Sequence, residues 1–256
     1  MFALRFLCII CLLACFAAAQ NQKLTIAAAA DLGPVFKEVT SAFEKLNGIK
    51  TDVVLGSSGN FFAQIQSGAP YDLFFCADRE YAQKLQDAGL ADSVTDYAEG
   101  SIVFWVRNDS KLDLARGMNV LDDASVRKIA VANPAHAPYG RAAMAALEHF
   151  GLADKVRGRL VLGENISQAT QFIQTGNADI GITALSLALS PALKSEGRYW
   201  EIPHDSYPRL QQAAVIVKTT KNRAAAAAFL AYLRSPEAQE IMRKYGFHSP
   251  QPAEKK

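Results

Sequence analysis

Residues 23–36, KLTIAAAADLGPVF, contain a pattern of strand, turn and helix that recurs along the chain. Residues 23–26 alternate polar and apolar side chains as a strand does, and apolar residues then recur at helical spacing across residues 35–43. Asp31 is a good N-cap residue, and Pro34 suits the first turn of a helix. The stretch therefore predicts a strand that enters a helix through a turn of small residues.

This kind of turn can bind an anion, because the N–H groups of the first helical turn have no intrahelical partner and carry partial positive charge. A single such turn is more often ordinary scaffold in an α/β protein. Similar turns recur, however, at residues 56–60 (GSSGN), 133–140 (NPAHAPYG) and 163–167 (GENIS). The repetition favours a site built from several helix starts that offer neutral donors.

Length and composition indicate a globular protein with a sizeable core. The chain has 256 residues, of which 50% are hydrophobic and 20% are charged, so two domains are expected. The formal net charge is only +2 and the basic residues are dispersed. This pattern argues against nucleic acid or an acidic membrane as a partner.

The N-terminus predicts export. Residues 1–19 combine the basic Arg5, an apolar run and a small-residue cleavage site, as a secretory signal peptide does, so the mature chain would begin near Gln20 in the periplasm. The apolar run is shorter than the roughly 20 residues of a transmembrane span. An imperfect lipoprotein processing motif ending at Cys15 leaves a lipid anchor as the alternative. Cys76, alone outside this leader, is expected to be a buried, inert thiol.

The alternation of strands and helices predicts an α/β fold of mixed, mostly parallel sheets flanked by helices. Apolar strands at residues 101–106 and 213–217 would cross between two domains. Domain I would contain residues 20–105 and 216–256, and domain II residues 106–215. Ligands bind beyond the carboxyl ends of strands in such folds, so the turns should face a cleft at this two-strand hinge.

An exported hydrolase is the alternative from another functional class. Four histidines are available, and His136 lies in a turn that would face the cleft. No H-E-x-x-H or paired His/Cys spacing indicates a metal site. Asp72 and Asp78 flank a buried strand but are interpreted as a turn residue and a helix cap.

Several motifs in a fixed order resemble the periplasmic molybdate-binding proteins of ABC importers, over essentially the whole mature length. The motifs are AAAADL (27–32), GSSGN (56–60), AQIQSGAPYDLFFCAD (63–78), NPAHAPYGRAA (133–143), GEN (163–165), ADIGIT (178–183) and KYGF (244–247). The resemblance implies a type II binding-protein clamshell that captures molybdate or tungstate and delivers it to a membrane permease. It also implies a monomer with no enzymatic activity and no cofactor.

The resemblance also implies how the ligand is held. Ser58 occupies the family's hydroxyl donor position, and Tyr139 and Ile166 fall where backbone N–H groups are used. The metal would be held through its own oxygens, without direct protein ligands. A ligand-sensing regulator domain of the same fold is disfavoured by the export signal.

Two positions depart from the family's pattern. Ala184 stands where many members have a tyrosine, and Asp31 stands where many have a serine. We expect the Asp31 side chain to cap its own helix, so that the backbone N–H of Asp31 is left for the ligand. Alternatively, Ala30 contributes to binding. A carboxylate in the site could instead accept a proton from a protonated anion, which keeps phosphate open as the ligand. Sulfate, bound by the same fold, is the other alternative oxyanion.

Overall fold

The computed structural model describes residues 23–250. The predicted signal peptide and Cys15 lie outside this range. Within it, no helix is both long and apolar enough to cross a membrane.

The described chain forms two five-stranded sheets flanked by helices. The strands are β1 (Lys23–Ala29), β2 (Lys50–Gly56), β3 (Leu73–Cys76), β4 (Thr95–Gly100), β5 (Ile102–Arg107), β6 (Ile129–Ala132), β7 (Leu160–Gly163), β8 (Ile180–Ala184), β9 (Gly197–Glu201) and β10 (Leu210–Ile216). The α-helices are α1 (Gly33–Asn47), α2 (Ser58–Gln66), α3 (Arg79–Asp87), α4 (Pro138–His149), α5 (Ala153–Val156), α6 (Ile166–Gln174), α7 (Leu185–Ala188), α8 (Pro191–Lys194), α9 (Arg223–Leu233) and α10 (Pro236–Lys244). Short 3-10 helices cover Ala30–Leu32, Leu114–Asp122, Arg157–Arg159 and His204–Ser206.

The two sheets have equivalent topologies. The first has the strand order β2-β1-β3-β10-β4, and the second has the order β7-β6-β8-β5-β9. In each, the first three strands pair in parallel, and one returning strand, β10 or β5, pairs antiparallel with both of its neighbours. The predicted α/β clamshell of two domains with mixed sheets is confirmed.

The chain changes sheet at points that differ from the predicted boundaries. β5, which begins at Ile102, pairs with β8 and β9 of the second sheet, and β10, which begins at Leu210, pairs with β3 and β4 of the first. The connections are therefore Ser101 and residues 202–209. The prediction placed them later because it assigned the crossing to the apolar strands themselves.

The first sheet has a core on each face. Successive strand residues point to opposite faces, so Phe75 packs with Phe36 and Phe229 of the helices, while Phe74 and Cys76 pack on the other side. Cys76 is fully buried, and burial raises the pKa of its thiol to about 12. The predicted burial of Cys76 is confirmed.

Two elements depart from what their local sequence indicates. β4 forms although TDYAEG is mostly polar and lacks an alternating apolar pattern. After Ala184 ends β8, two short helices follow in place of one continuous helix. The break has a local cause: Ser190 caps α8 by accepting from the Leu193 N–H, and Pro191 begins that helix.

Candidate binding site

A small cavity lies between the two sheets, where the carboxyl ends of strands from both meet. Its lining residues are Ala29, Ala30, Asp31, Gly56, Ser57, Ser58, Ala77, Ala137, Pro138, Tyr139, Asn165 and Ile166. They come from the turns after β1, β2, β3, β6 and β7. The structure thus brings together the four turns that the sequence singled out.

Three α-helices begin at this cavity. Ser58 and Ile166 are the first residues of α2 and α6, and Tyr139 is the second residue of α4. N–H groups in the first turn lack an intrahelical partner and carry the positive end of the helix dipole. First-turn N–H groups of helices from both domains therefore border the cavity.

The Ser58 hydroxyl is prepared to act as a donor. It is fully buried, and its oxygen accepts a hydrogen bond from the Ala77 N–H at 3.0 Å. A hydroxyl has one proton to donate. Because the Ala77 contact uses only its acceptor capacity, that proton is left for a ligand.

Asp31, which lines the same cavity, carries a buried carboxyl group. Its side chain is fully buried, and Oδ2 accepts from the Tyr139 hydroxyl at 2.9 Å and from Gln212 Nε2 at 2.6 Å. Oδ1 is buried without any hydrogen-bond partner. The predicted helix cap is wrong: neither the 3-10 helix nor α1 has a side-chain cap, because the carboxyl group bonds across the molecule instead.

The environment of Asp31 favours the neutral carboxyl group more than water does. Burial raises the pKa of Asp31 from 3.8 to about 6, although the hydrogen bonds from Gln212 and Tyr139 act in the opposite direction. Burial also raises the pKa of Tyr139 well above its usual value. Tyr139 therefore remains a donor throughout the physiological pH range.

The carboxyl group belongs to a buried network that reaches the returning strand β10. Gln212 of β10 bonds to Asp31 and Tyr139, and its Oε1 accepts from the Tyr97 hydroxyl of β4 at 2.6 Å. Gly100 makes room for the network, since a Cβ atom there would lie 2.3 Å from the Tyr139 hydroxyl oxygen. The network contains residues of both domains and lies beside the two connections between the sheets, Ser101 and residues 202–209.

Direct contacts also close the domains around the cavity. The Gly59 N–H at the start of α2 donates to the His136 carbonyl at 2.9 Å. The Ser57 hydroxyl lies 3.0 Å from His136 Nδ1, and Asn60 donates to Glu164 at 2.5 Å. These contacts give His136 a role in domain closure.

A second group of contacts tethers the turn after β1. Ser167 of α6 donates to the Ala30 carbonyl at 3.0 Å, and Ser186 of α7 donates to the Asp31 carbonyl at 2.8 Å. Outside the cavity, Arg141 of α4 pairs with Asp78 at 2.6 Å. As predicted, Asp78 also caps its own helix, α3.

The cavity is narrow and lacks basic side chains. Its lining contains no lysine, arginine or histidine, and no group of three metal-ligating side chains occurs among residues 23–250. The space open to the centre of a water molecule is about 10 Å³, close to what one bound water needs. A larger ligand requires the walls to move slightly apart.

Five of the six predicted site residues line this cavity: Ala30, Asp31, Ser58, Tyr139 and Ile166. Ala184 is not among the lining residues; it pairs with Ile102 at the end of β8. Sequence reasoning missed Gln212 and Ser186. Gln212 had a detectable signal, because it belongs to a pair of glutamines in the strand LQQAAVI, whose other residues are apolar, whereas Ser186 had none.

A family model described as bacterial extracellular solute-binding protein matches residues 24–248. The chain belongs to this family. The family description places its members outside the cytoplasm and assigns them binding rather than turnover. A cleft between two α/β domains that is not lined by basic side chains is consistent with that description.

Individual relatives cover nearly the whole chain. The molybdate-binding protein ModA of Azotobacter vinelandii is 38% identical over 238 residues, 92% of this chain and 93% of the relative. ModA of Rhodobacter capsulatus is 37% identical over 223 residues, 86% of each chain.

Solved structures give the same result. The Azotobacter vinelandii periplasmic molybdate-binding protein aligns with a TM-score of 0.84 and 35% identity, over 89% of this chain and 100% of that one. The sulfate-binding protein SubI of Mycobacterium tuberculosis aligns with a TM-score of 0.72 at 19% identity, over 91% and 88% of the two chains. At that identity the likeness shows the fold alone.

Proposed function

We propose that this protein captures molybdate, or the nearly isosteric tungstate, in the cleft and delivers it to the membrane permease of an ABC importer. The observation that carries the proposal is the convergence of neutral donors at three helix starts on one small cavity. The names of relatives at 38% and 37% identity agree with it.

Neutral donors suit a tetrahedral dianion. Helix N-termini supply partial positive charge without mobile, hydrated cations. Donors at fixed positions can all bond to the ligand only when its size matches their spacing. Sulfate is smaller than molybdate and would leave some donors without a partner. We therefore expect molybdate and tungstate to bind alike and sulfate to bind weakly.

Each residue has a proposed role. Ser58 donates its hydroxyl proton, and Tyr139 and Ile166 donate backbone N–H groups at the starts of α4 and α6. Ala30 and Asp31 contribute from the turn after β1. Ala184 is not proposed to contact the ligand directly, because it lies outside the cavity lining.

Delivery would follow from domain closure. An anion bound between the domains strengthens the closed form, and that shape is what a permease can distinguish from the open protein. We further propose that the protein is exported by the signal peptide at residues 1–19 and acts as a monomer. Anchoring through Cys15 is the alternative mode of retention at the membrane.

A crystal structure of the mature chain, residues 20–256, grown with tungstate tests the proposed site. Anomalous scattering should place one tungsten atom in the cavity, with ligand oxygens within hydrogen-bond distance of Ser58 Oγ and the N–H groups of Tyr139 and Ile166. Tungsten bound elsewhere, or direct coordination of tungsten by a side chain, would refute these assignments.

A further inference from the structure

We propose that Asp31 binds the anion in its protonated form, as a hydrogen-bond donor through Oδ1, so that ligand capture takes up one proton. This inference rests on the proposed oxyanion-binding function. It assigns to Asp31 the task of making affinity depend on pH.

The position of the proton follows from the hydrogen-bond geometry. The Tyr139 hydroxyl and Gln212 Nε2 both donate to Oδ2, at 2.9 and 2.6 Å, so Oδ2 acts as an acceptor. Oδ1 is buried and has no partner. A neutral carboxyl group in this setting carries its proton on Oδ1, where it becomes a donor in need of an acceptor.

The groups that face Asp31 provide no compensating positive charge. They are Tyr139 of α4, Gln212 of β10 and, beyond Gln212, Tyr97 of β4, while the Ser186 hydroxyl of α7 bonds to the Asp31 backbone. None of these groups is cationic. An ionised carboxylate and a dianion around one small cavity would repel each other strongly, because the protein interior screens charges poorly.

A protonated carboxyl group removes this repulsion and adds a donor to the cavity. Burial holds the pKa of Asp31 at about 6 in the protein without ligand, so the group is mostly ionised above neutral pH. A bound dianion raises that pKa further, since it favours the neutral form. Binding above pH 7 must then draw a proton from solution.

Affinity should consequently depend on pH. Between pH 7 and pH 8 the dissociation constant should rise about tenfold, which is the linkage expected for uptake of one proton. Well below pH 6 it should level off, because Asp31 is already protonated there. Molybdate and sulfate themselves take up no proton in the neutral range, so the dependence reports on the protein.

Calorimetric titration with molybdate, in buffers of different ionisation enthalpy between pH 6 and pH 8.5, measures both affinity and the number of protons taken up. The variant Asp31→Asn mimics the neutral acid in shape, and Asp31→Ser provides a second neutral residue. Asp52→Asn is the matched control, because Asp52 is an exposed residue of β2 paired with Lys23.

The wild type and Asp52→Asn should take up close to one proton at pH 8, and both Asp31 variants none. Asp31→Asn should bind more tightly than the wild type at pH 8 and lose the pH dependence. Binding of molybdate by the wild type without proton uptake would overturn the inference and leave the proposed function intact. Uptake that persists in both Asp31 variants would also overturn it.

Failure of the proposed function gives a different result, namely no binding of molybdate or tungstate by any variant at any pH. Sulfate then serves as the probe for the proton linkage. If sulfate binds with the same uptake of a proton through Asp31, the inference stands with another ligand. If no oxyanion binds, both proposals are refuted.

Discussion

The Tyr139 hydroxyl donates to Asp31 Oδ2 at 2.9 Å and so joins helix α4 of one domain to the turn after β1 of the other. Tyr139 thereby has two roles. Its backbone begins a helix at the cavity, while its side chain holds a buried carboxyl group next to the same cavity. The proposed ligand contact, the contact between the domains and the hydrogen bonding of Asp31 thus involve one residue.

Replacing Ser58 with alanine should weaken molybdate binding about 10- to 100-fold, because a hydrogen bond to a charged group contributes about 1.5–3 kcal/mol. Equilibrium titration measures the change. Ser67→Ala is the control, since the Ser67 hydroxyl bonds to the Ala63 carbonyl at the exposed end of α2. Equal affinities of Ser58→Ala and the wild type would rule out donation by this hydroxyl.

Gly59→Ala should obstruct closure without disturbing either domain. A Cβ atom there would lie 2.7 Å from the His136 carbonyl oxygen and 2.9 Å from its Cα, both on the opposite domain. Within its own helix, alanine is more favourable than glycine by up to about 1 kcal/mol. We expect at least about a tenfold loss of affinity, with a melting temperature of the ligand-free protein that does not fall.

Gly158→Ala is the matched control, because a Cβ atom at Gly158 meets nothing within 4 Å. Scanning calorimetry and titration of the two variants separate folding from closure. Unchanged affinity of Gly59→Ala would show that the ligand-bound state does not need the contact between α2 and His136.

Arg141→Gln should speed ligand release by removing an ion pair that spans the cleft. The guanidinium lies 2.6 Å from Asp78 and 3.1 Å from the Tyr81 hydroxyl. The pair is partly exposed, so a change of about two- to fivefold is expected, mainly in the dissociation rate. Stopped-flow fluorescence measures it, and Arg157→Gln, which breaks an exposed pair with Asp154, should have no effect.

Asp31→Asn should stabilise the ligand-free protein at neutral pH but not in acid. The pKa of Asp31 rises from 3.8 to about 6 on folding, so the native state binds more protons than the unfolded chain between these values. The free energy of unfolding therefore falls as pH rises through this window, by up to about 3 kcal/mol. Asparagine does not ionise, so the free energy of unfolding of the variant does not fall in this way.

Urea unfolding at pH 4 and pH 7.5 tests this prediction. The variant should gain stability relative to the wild type at pH 7.5, and the gain should be absent at pH 4. A difference of the same size at both pH values would mean that packing, rather than ionisation, distinguishes the two side chains.

The sequence was sufficient to predict the four site-facing turns, because small residues next to strongly periodic segments mark each strand end and helix start. It could not predict the contact between Asp31 and Gln212, because these two residues are 181 positions apart and only the tertiary fold brings them together. Local logic favoured a helix cap for Asp31, and tertiary contacts overrode it. β4 was missed for a related reason: pairing with β10, rather than its own pattern, makes it a strand.

The proposed ligand is best tested by calorimetric titration of residues 20–256 with molybdate, tungstate, sulfate and phosphate at pH 6.5. We expect tight one-to-one binding of molybdate and tungstate and little or no response to sulfate and phosphate. Binding of phosphate or sulfate with no response to molybdate would contradict the proposed ligand and show that this cleft serves another oxyanion.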